Sequence, residues 1–493
     1  MLAQHLPALQ VVIPLLAAPL CALFRRGFIG WLIAVAATWL AFAAAIGLLF
    51  RVLNEGVISY AMGGWAPPIG IEYRVDLINV FVLVVVSGVG SVIIPFARTG
   101  TAARFNDTDQ AWFYAMYLLA LTGLLGVTIT GDAFNIFVFL EISSLASYVM
   151  IAMGRDRRAL TAAYQYLIMG TIGATFIVIG IGLLWAMTGT LNLADLAQRI
   201  PEINDTRPVL VALAFLTVGI SLKLALFPLH LWLPNAYAYA PAVTSAFLAG
   251  TATKVAIYLF LRFFYTVFGG GGFFESTPLP EMFLVLSVVA MFAASTVAVF
   301  QDDVKRMFAY SSVAQIGLIT LGISYVSETG LTGAMTHLFN HAIIKAGIFM
   351  LLGGVMFRMA SVKLEDMAGI GRKMPFTMAG IVILGLALIG TPGTSGFISK
   401  WWIVLAALEK DQWWLVALIL LASLITMLYV GRIVEVAYFR EPSAKAADVR
   451  EAPLAMLIPA YVLVIATIYF GLDTQWSVGL AQRAAADLLA GIY

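Results

Sequence analysis

Charge is what this sequence has least of. Only 11% of its 493 residues are Asp, Glu, Lys or Arg, against about 25% in an ordinary soluble domain. Hydrophobic residues make up 62%, and apolar runs long enough to cross about 30 Å of hydrocarbon recur from end to end. No stretch is polar enough for a soluble domain, and a net charge of +2 does not point to a nucleic-acid partner.

Cysteine is almost absent. The single cysteine, Cys21, excludes an intrachain disulfide and a cysteine-ligated metal cluster. The opening stretch, MLAQHLPALQVVIPLLAAPLCALFRR, has no basic segment ahead of its apolar run. It therefore predicts a first membrane span rather than a cleaved signal peptide. We predict no bound cofactor and no metal site.

The apolar runs predict an all-α polytopic membrane protein with about fourteen transmembrane helices. The spans centre on residues 8–24, 29–50, 76–97, 111–130, 133–153, 162–188, 208–229, 239–264, 281–300, 307–325, 331–357, 376–408, 412–437 and 453–472.

Lysine and arginine in the short loops predict the orientation. If the N-terminus lies outside, most of these residues fall in cytoplasmic loops. Examples are Arg25 and Arg26 after the first span, and Arg155, Arg157 and Arg158 after the fifth. Because the number of spans is even, the C-terminus is then also predicted to lie outside.

Two blocks of five spans are predicted to have inverted topology, since the fourth span starts from the cytoplasm and the ninth from outside. A helix breaker interrupts the fourth span of each block: Pro228 in the seventh span, and Pro392 within GTPGTSG in the twelfth. The predicted divisions are 1–105 (helices 1–3), 106–268 (first repeat, helices 4–8), 269–440 (second repeat, helices 9–13) and 441–493 (helix 14 and a tail).

Seven ionisable side chains lie well inside predicted spans, where a charge costs roughly 2.5–3.5 kcal/mol on insertion scales. They are Glu141, Lys223, Lys254, His337, His341, Lys345 and Lys400. The three in the eleventh span follow i, i+4, i+8 spacing and so share one helix face. Histidine changes charge near neutral pH, and a desolvated lysine can also exchange its proton there. The set predicts a proton path, and the breaks beside lysines predict hydrated pockets at mid-depth.

Other polar residues have simpler interpretations. Asp132, at the start of the fifth span, is typical of a helix N-cap. His230 lies among prolines near the interface, and its pattern fits a structural histidine as well as a member of the proton path. A cytoplasmic cap and anchor is predicted for four residues before the tenth span: Asp302, Asp303, Lys305 and Arg306.

Several long motifs resemble one known family. They are GDAFNIFVFLEISSLASYVMIA, SLKLALFPLHLWLPNAYAYAPAVTSAFLAGTATKVAIY, DDVKRMFAYSSVAQIGLI, HLFNHAIIKAGIFM and GTPGTSGFISKWW. With the span count, they make the chain similar to the antiporter-like subunits shared by respiratory complex I, membrane-bound hydrogenases and Mrp-type cation/proton antiporters. The opening apolar segment and FNIFVFLEISSLASY look most like the D subunit of Mrp antiporters.

The resemblance implies a fourteen-helix fold with two inverted five-helix repeats. It also implies that Glu141 pairs with Lys223, that Lys254 is the central lysine, and that Lys400 is the terminal ionisable residue on the second broken helix. The connecting path between them is implied to consist of His337, His341 and Lys345.

One segment departs from the family pattern. After the WLP motif, many relatives carry a histidine and an acid where this chain has Tyr237 and Tyr239. Proton entry at this point is therefore open in the sequence interpretation, and so is the role of His230.

The resulting functional prediction is a proton-translocating membrane subunit of a multisubunit Na⁺/H⁺ antiporter, which is an ion-transport subunit rather than an enzyme. The alternative is a proton-pumping subunit of a complex I or hydrogenase-type respiratory complex. Expected partners are other membrane subunits, protons, Na⁺ and the lipid bilayer, and the expected location is a bacterial or archaeal plasma membrane. In the predicted mechanism, Glu141 leaves Lys223 for a cation on an adjoining subunit, and the proton released by Lys223 moves on.

Two other classes of protein fit the residues less well. A cytochrome b-like electron carrier would need histidines on different helices, whereas His337 and His341 share one helix. A carrier for an organic anion would use the lysines for binding, but Glu141 argues against it. The partner supplies the substrate in such assemblies, so recruitment to another transported solute stays open.

Overall fold

The computed structural model describes residues 2–493, and within that range the predicted polytopic all-α fold is confirmed. Thirteen helical segments are long and apolar enough to span a membrane, and the predicted twelfth span consists of two shorter helices. The first six spans are single helices, and each begins and ends within a few residues of its predicted limits. They are α1 (Leu6–Phe24), α2 (Gly27–Glu55), α3 (Leu77–Ala102), α4 (Asp107–Ile129), α5 (Ala133–Ala152) and α6 (Arg158–Thr188). A short surface helix, α7 (Leu193–Arg199), follows them.

The seventh span is broken, as predicted. It consists of α8 (Arg207–Leu224) and α9 (Trp232–Tyr239). The first half ends earlier than expected, because Ala225 adopts a left-handed conformation with φ of 59°. Pro228 therefore lies inside the connecting loop, beyond the helix end.

The eighth span is also interrupted, which the sequence interpretation did not foresee. It consists of α10 (Ala242–Gly250) and α11 (Ala252–Leu261), and continues as a π-helical segment over Arg262–Val267. The junction between the two helices falls at Thr251, within one turn of Lys254.

The second repeat begins with three unbroken spans: α12 (Leu279–Val299), α13 (Val304–Ser324) and α14 (Glu328–Met359). Its twelfth span is broken as predicted, into α15 (Pro375–Ile389) and α16 (Ser395–Glu409), with Pro392 in the gap. The thirteenth is α17 (Trp413–Phe439). Because the two blocks start an odd number of spans apart, their topologies are inverted. The exact limits of the four predicted divisions stay a prediction.

Two elements outside the spans were not predicted. A small antiparallel hairpin, β1 (Ile58–Ala61) and β2 (Glu72–Val75), follows the second span and pairs Ile58 with Val75. After α18 (Leu454–Leu472), the fourteenth span, the predicted tail forms a helix, α19 (Gln475–Leu489), which packs against α14 and α3.

The core of the molecule lies around α14, whose residues are buried almost without interruption from Gly330 to Val355. Exposed apolar side chains on α2, α6 and α17 form the outer surface, as expected of lipid-facing helices. Helix caps follow local sequence: Asp132 accepts a hydrogen bond from the Asn135 amide (2.7 Å), which confirms its predicted role.

Candidate functional site

The predicted Glu141–Lys223 pair forms between α5 and α8. The Lys223 Nζ lies 3.6 Å from Glu141 Oε1, which is an ion-pair distance but too long for a good hydrogen bond. The ammonium instead donates to Ser144 Oγ at 2.9 Å. Among the described residues, Glu141 Oε1 has no hydrogen-bond partner. The two charges therefore form an ion pair without a short hydrogen bond between them, and the Ser144 hydroxyl holds the lysine.

The end of α8 explains why a lysine is tolerated there. Its Leu222 carbonyl accepts from the Ala225 amide (3.2 Å) and from the Trp232 indole (2.9 Å). The chain can then turn into a loop that contains Pro228, which has no amide proton to donate. A helix C-terminus carries partial negative charge, so the last turn of α8 favours the Lys223 cation.

Lys254 sits at the interruption of the eighth span and is fully buried. Its Nζ donates to the Ala249 carbonyl at the end of α10 and lies 3.3 Å from Thr253 Oγ1. The break thus supplies the carbonyl that holds this lysine.

Lys400 reaches back across the gap in the twelfth span. Its Nζ donates to the last carbonyls of α15, Leu388 (2.8 Å) and Ile389 (2.9 Å), and to Ser423 Oγ of α17 (2.9 Å). It also lines a small cavity of about 10 Å³, together with Gln315 of α13. The two broken helices are therefore not equivalent: Lys223 precedes its gap, whereas Lys400 follows its own.

The predicted polar face of α14 is present and buried. His337 lies 2.8 Å from Ser399 Oγ through Nδ1 and 2.9 Å from Gln315 Oε1 through Nε2. The His341 ring is parallel to it, with centroids 6.1 Å apart. Within residues 2–493, neither nitrogen of His341 has a hydrogen-bond partner. Two parallel rings on one helix face cannot bind one haem iron from opposite sides, so the geometry disfavours the electron-carrier alternative.

Lys345 completes that face and contacts α13. It donates to the Phe308 carbonyl (2.8 Å) and to Ser311 Oγ (2.7 Å), and Tyr429 OH donates to the same serine at 3.0 Å. Its Nζ also stands 5.3 Å from the centre of the Phe308 ring.

His230 lies in the loop between α8 and α9 and is buried against the second repeat. Its ring stacks on Phe227 (5.1 Å between centroids) and meets the edge of Tyr310 of α13 (6.4 Å). In the part of the chain that the structure describes, its Nδ1 has no partner. Among the described residues, no hydrogen bond joins the His230 side chain to any of the seven mid-span groups.

Sequence reasoning missed one buried lysine. Lys305, interpreted as part of a cytoplasmic anchor, is only 3% exposed and donates to the Ala240 carbonyl just after α9 (2.7 Å). The anchor prediction is wrong for this residue, whereas Asp303 is a cap, since it accepts from the Arg306 amide at 2.9 Å. No sequence signal separates the two roles, because burial at a helix start depends on the neighbouring span.

A common arrangement links Lys254, Lys305 and Lys400. Each donates to a carbonyl at the C-terminal end of an interrupted helix segment: α10, α9 and α15 respectively. Such carbonyls have no intrahelical donor and carry the negative end of the helix dipole. Interrupted helices thus supply the carbonyl groups that hold these buried cations.

Fourteen spans, inverted repeats, interrupted helices and buried lysines together define an antiporter-like membrane subunit. The chain belongs to the family described as NADH:quinone oxidoreductase/Mrp antiporter, transmembrane, which it matches over residues 130–426.

The individual relatives are named either as subunits of NADH-quinone oxidoreductase or as subunits of Na⁺/H⁺ antiporters. The N subunit of NADH-quinone oxidoreductase from Desulforudis audaxviator is 40% identical over 490 residues, covering 96% of each chain. The D subunit of a Na⁺/H⁺ antiporter from Alkalihalophilus pseudofirmus is 30% identical over 431 residues, covering 87% of this chain and 86% of the relative. Among solved structures, a chain of the Mrp complex from Dietzia sp. DQ12-45-1b matches with a TM-score of 0.91 and 26% identity, over 100% of this chain and 98% of that one.

Proposed function

We propose that this chain is the proton-translocating membrane subunit of a multisubunit Na⁺/H⁺ antiporter. Protons move from the Glu141–Lys223 pair to Lys254, then along the polar face of α14 to Lys400. The observation that carries the proposal is this series of buried ionisable groups, which extends through both inverted repeats and includes a lysine at each of three helix interruptions.

The first transfer step rests on the packing of α8 against α11. When Glu141 turns towards a cation on a neighbouring subunit, Lys223 loses its counter-charge, keeps only the Ser144 hydroxyl, and releases its proton towards Lys254. The 3.6 Å separation supports a pair that opens and closes, since no short hydrogen bond locks it.

The second step rests on a close contact between α10 and α14. Gly250, the last residue of α10, lies so near α14 that a Cβ there would stand 3.1 Å from Ala346 Cβ and 3.5 Å from the Ala342 carbonyl. These two alanines follow His341 and Lys345 in sequence, so the break that holds Lys254 adjoins the polar face.

The third step leads from His337 to Lys400. Gln315 contacts His337 Nε2 and lines the pocket that contains Lys400, so the two groups border one polar space. Water in such a space carries a proton between them.

The surface of α5 and α6 fits a neighbouring membrane subunit. The Glu141 side chain is one-quarter exposed at mid-span, where contact with lipid is costly for a carboxylate. The adjacent face of α6 is exposed and carries polar side chains: Thr161, Tyr164, Gln165, Thr171 and Thr175. A partner with a cation opposite Glu141 would cover this face and operate the switch.

A second candidate function has its own support. The 40% identity to a relative named as a subunit of NADH-quinone oxidoreductase exceeds the 30% identity to the relative named as a Na⁺/H⁺ antiporter subunit. In that case the same proton path works in a complex driven by quinone reduction, and the chain sits in the plasma membrane with both termini outside, as for the antiporter.

Transport in everted membrane vesicles tests both candidates. Proton flux that responds to added Na⁺, with no need for a quinone, supports the antiporter; flux that follows NADH- or hydrogen-dependent quinone reduction supports the respiratory complex. In either case Lys223→Ala and Lys400→Ala should abolish proton flux while the assembled complex remains in the membrane. Full flux in both variants would show that the proposed path is wrong.

A further inference from the structure

A second polar row lies on α14, beside the histidine face. Glu328, Thr332, Thr336 and Asn340 follow i, i+4, i+8, i+12 spacing, so each lies about one turn above the last and the row winds slowly around the helix. The next position in the series is Ile344, which ends the row near the middle of the helix. Glu328 is exposed at the end of α14, and the other three are buried.

The two threonines differ from the usual buried threonine of this chain. Thr122, Thr217 and Thr467 donate to the carbonyl four residues earlier, at 2.7–2.8 Å, which is the ordinary solution for a hydroxyl in an apolar helix. Thr332 and Thr336 are fully buried, yet neither hydroxyl has a hydrogen-bond partner among residues 2–493. A hydroxyl left unpaired in apolar surroundings is costly, so these two require a partner that the chain itself does not provide.

The row ends at the gap in the twelfth span. Asn340 Nδ2 donates to the carbonyl of Ser395, the first residue of α16, at 2.6 Å. The remaining polar atoms of this contact, Asn340 Oδ1 and Ser395 Oγ, are buried and have no partner in the described part of the chain. With the two threonine hydroxyls, four buried oxygens without a partner in the described part of the chain thus belong to the row and to its contact with the gap.

One hydroxyl close to this row in the fold contacts the histidine face. Ser399 lies one helical turn after Ser395 on α16, and its Oγ is 2.8 Å from His337 Nδ1 and 3.2 Å from the Gly396 carbonyl. A serine has one proton to donate. When His337 Nδ1 is bare, Ser399 donates to it; when Nδ1 carries a proton, Ser399 accepts that hydrogen bond and donates to Gly396.

We propose that Thr332, Thr336, Asn340 and Ser395 line a water-filled branch of the proton path, which joins His337 to the end of α14 at Glu328. The inference rests on the proposed function. In each transfer Lys400 passes its proton to His337 through the polar space that they share. The His337 Nδ1 proton then passes to Ser399 Oγ, while the serine hydroxyl turns from the Gly396 carbonyl and gives its own proton to the adjoining water. His337 becomes neutral, and one proton emerges beside the Glu328 carboxylate.

The spacing of the row fits bridges of two water molecules. Residues four apart on a helix are separated by about 6 Å along its axis, whereas two successive O–H···O hydrogen bonds reach only about 5.5 Å when they are in line. Two water molecules between each pair of side chains therefore satisfy both hydroxyls and form a continuous file for proton hopping.

Water access is the most direct test. The only cysteine, Cys21, is replaced by alanine, and Thr332→Cys, Thr336→Cys and Thr122→Cys are introduced one at a time into the assembled complex. Ag⁺, a thiol reagent of nearly water-like size, is then added separately to right-side-out and everted vesicles. We expect rapid modification at 332 and 336 from the Glu328 side and none at 122, whose native hydroxyl is paired. Modification at 332 and 336 no faster than at 122 would overturn the proposal.

Transport provides the second test. The Thr332→Val/Thr336→Val double variant removes two water contacts of the file, so it should lose on the order of thirtyfold in proton flux, which corresponds to about 2 kcal/mol. Thr122→Val is the matched control and should retain full flux, while Thr332→Ser/Thr336→Ser should recover most of it. If Lys400→Ala abolishes flux and the double valine variant does not lower it, the branch is wrong and the proposed function stands. If Lys400→Ala leaves flux intact, the proposed function fails, and Ag⁺ modification still decides whether the row is hydrated.

Discussion

Replacing Glu141 by glutamine is the sharpest test of the paired switch. At 3.6 Å from Lys223, two unit charges attract by about 4–5 kcal/mol at an effective dielectric constant near 20. Because the Glu141 side chain is one-quarter exposed, solvent or partner screening reduces this to about 2–3 kcal/mol. Glutamine keeps the shape but removes the attraction that the switch turns on and off. At about 1.4 kcal/mol per tenfold, we expect proton flux to fall on the order of a hundredfold.

The measurement is proton flux in everted vesicles, followed with a pH-sensitive dye and normalised to the amount of assembled complex. Glu435→Gln is the matched control, since Glu435 pairs with Arg440 at an exposed site (2.9 Å) where ion pairs contribute little. Normal flux in Glu141→Gln would refute the switch, even if a proton path through the lysines survives. A comparable loss in Glu435→Gln would show that the assay reports assembly instead.

Three further predictions concern the path and its support. Lys400→Ala should abolish flux and lower the thermal midpoint of the complex, because two end carbonyls of α15 lose their donor; an unchanged midpoint would contradict the cap assignment. Gly250→Val should destabilise the complex by about 1–3 kcal/mol, since a Cβ there would lie 2.6 Å from a methyl carbon of α3; thermal melting of the detergent-solubilised complex checks this, and a midpoint equal to wild type would count against the close approach. The Lys445 ammonium, at 2.8 Å, holds the pKa of the Asp366 carboxyl below its usual range. Because the folded-state pKa of Asp366 is lowered, the ion pair stabilises the 441–453 loop above about pH 4, and this stabilisation is lost as the pH falls further. Hydrogen–deuterium exchange of the loop should therefore accelerate below about pH 4 in the wild type, and already at pH 6 in Asp366→Asn.

The span count was predictable because hydrocarbon imposes a length on each helix. Every span of about twenty apolar residues leaves a direct trace in the sequence, so the unbroken spans begin and end within a few residues of their predicted limits. Proline and glycine clusters predicted the gaps in the seventh and twelfth spans for a similar local reason. The interruption at Thr251 has no proline, and the sequence around it reads as continuous helix. It arises where α10 packs against α14, which is a tertiary contact.

The candidate site was likewise predictable only in part. Spacing alone predicted that His337, His341 and Lys345 share a face, since that depends only on helix periodicity. The partners of those groups could not be predicted. Ser399 and Gln315, which contact His337, lie 62 and 22 residues away along the chain. Nothing in their local sequence separates them from other serines and glutamines.

The sequence by itself determined that this chain is a polytopic membrane protein with about fourteen spans, which family it belongs to, and which seven ionisable residues fall inside its apolar runs. Those properties follow from composition and from local periodicity. Only the tertiary structure decided what holds each charge. Carbonyls at the C-terminal ends of interrupted helices hold Lys254, Lys305 and Lys400. The Ser144 hydroxyl and the Glu141 carboxylate hold Lys223. The reason is physical, because a buried cation is stabilised by the dipoles around it, and those dipoles come from helices that are remote in sequence.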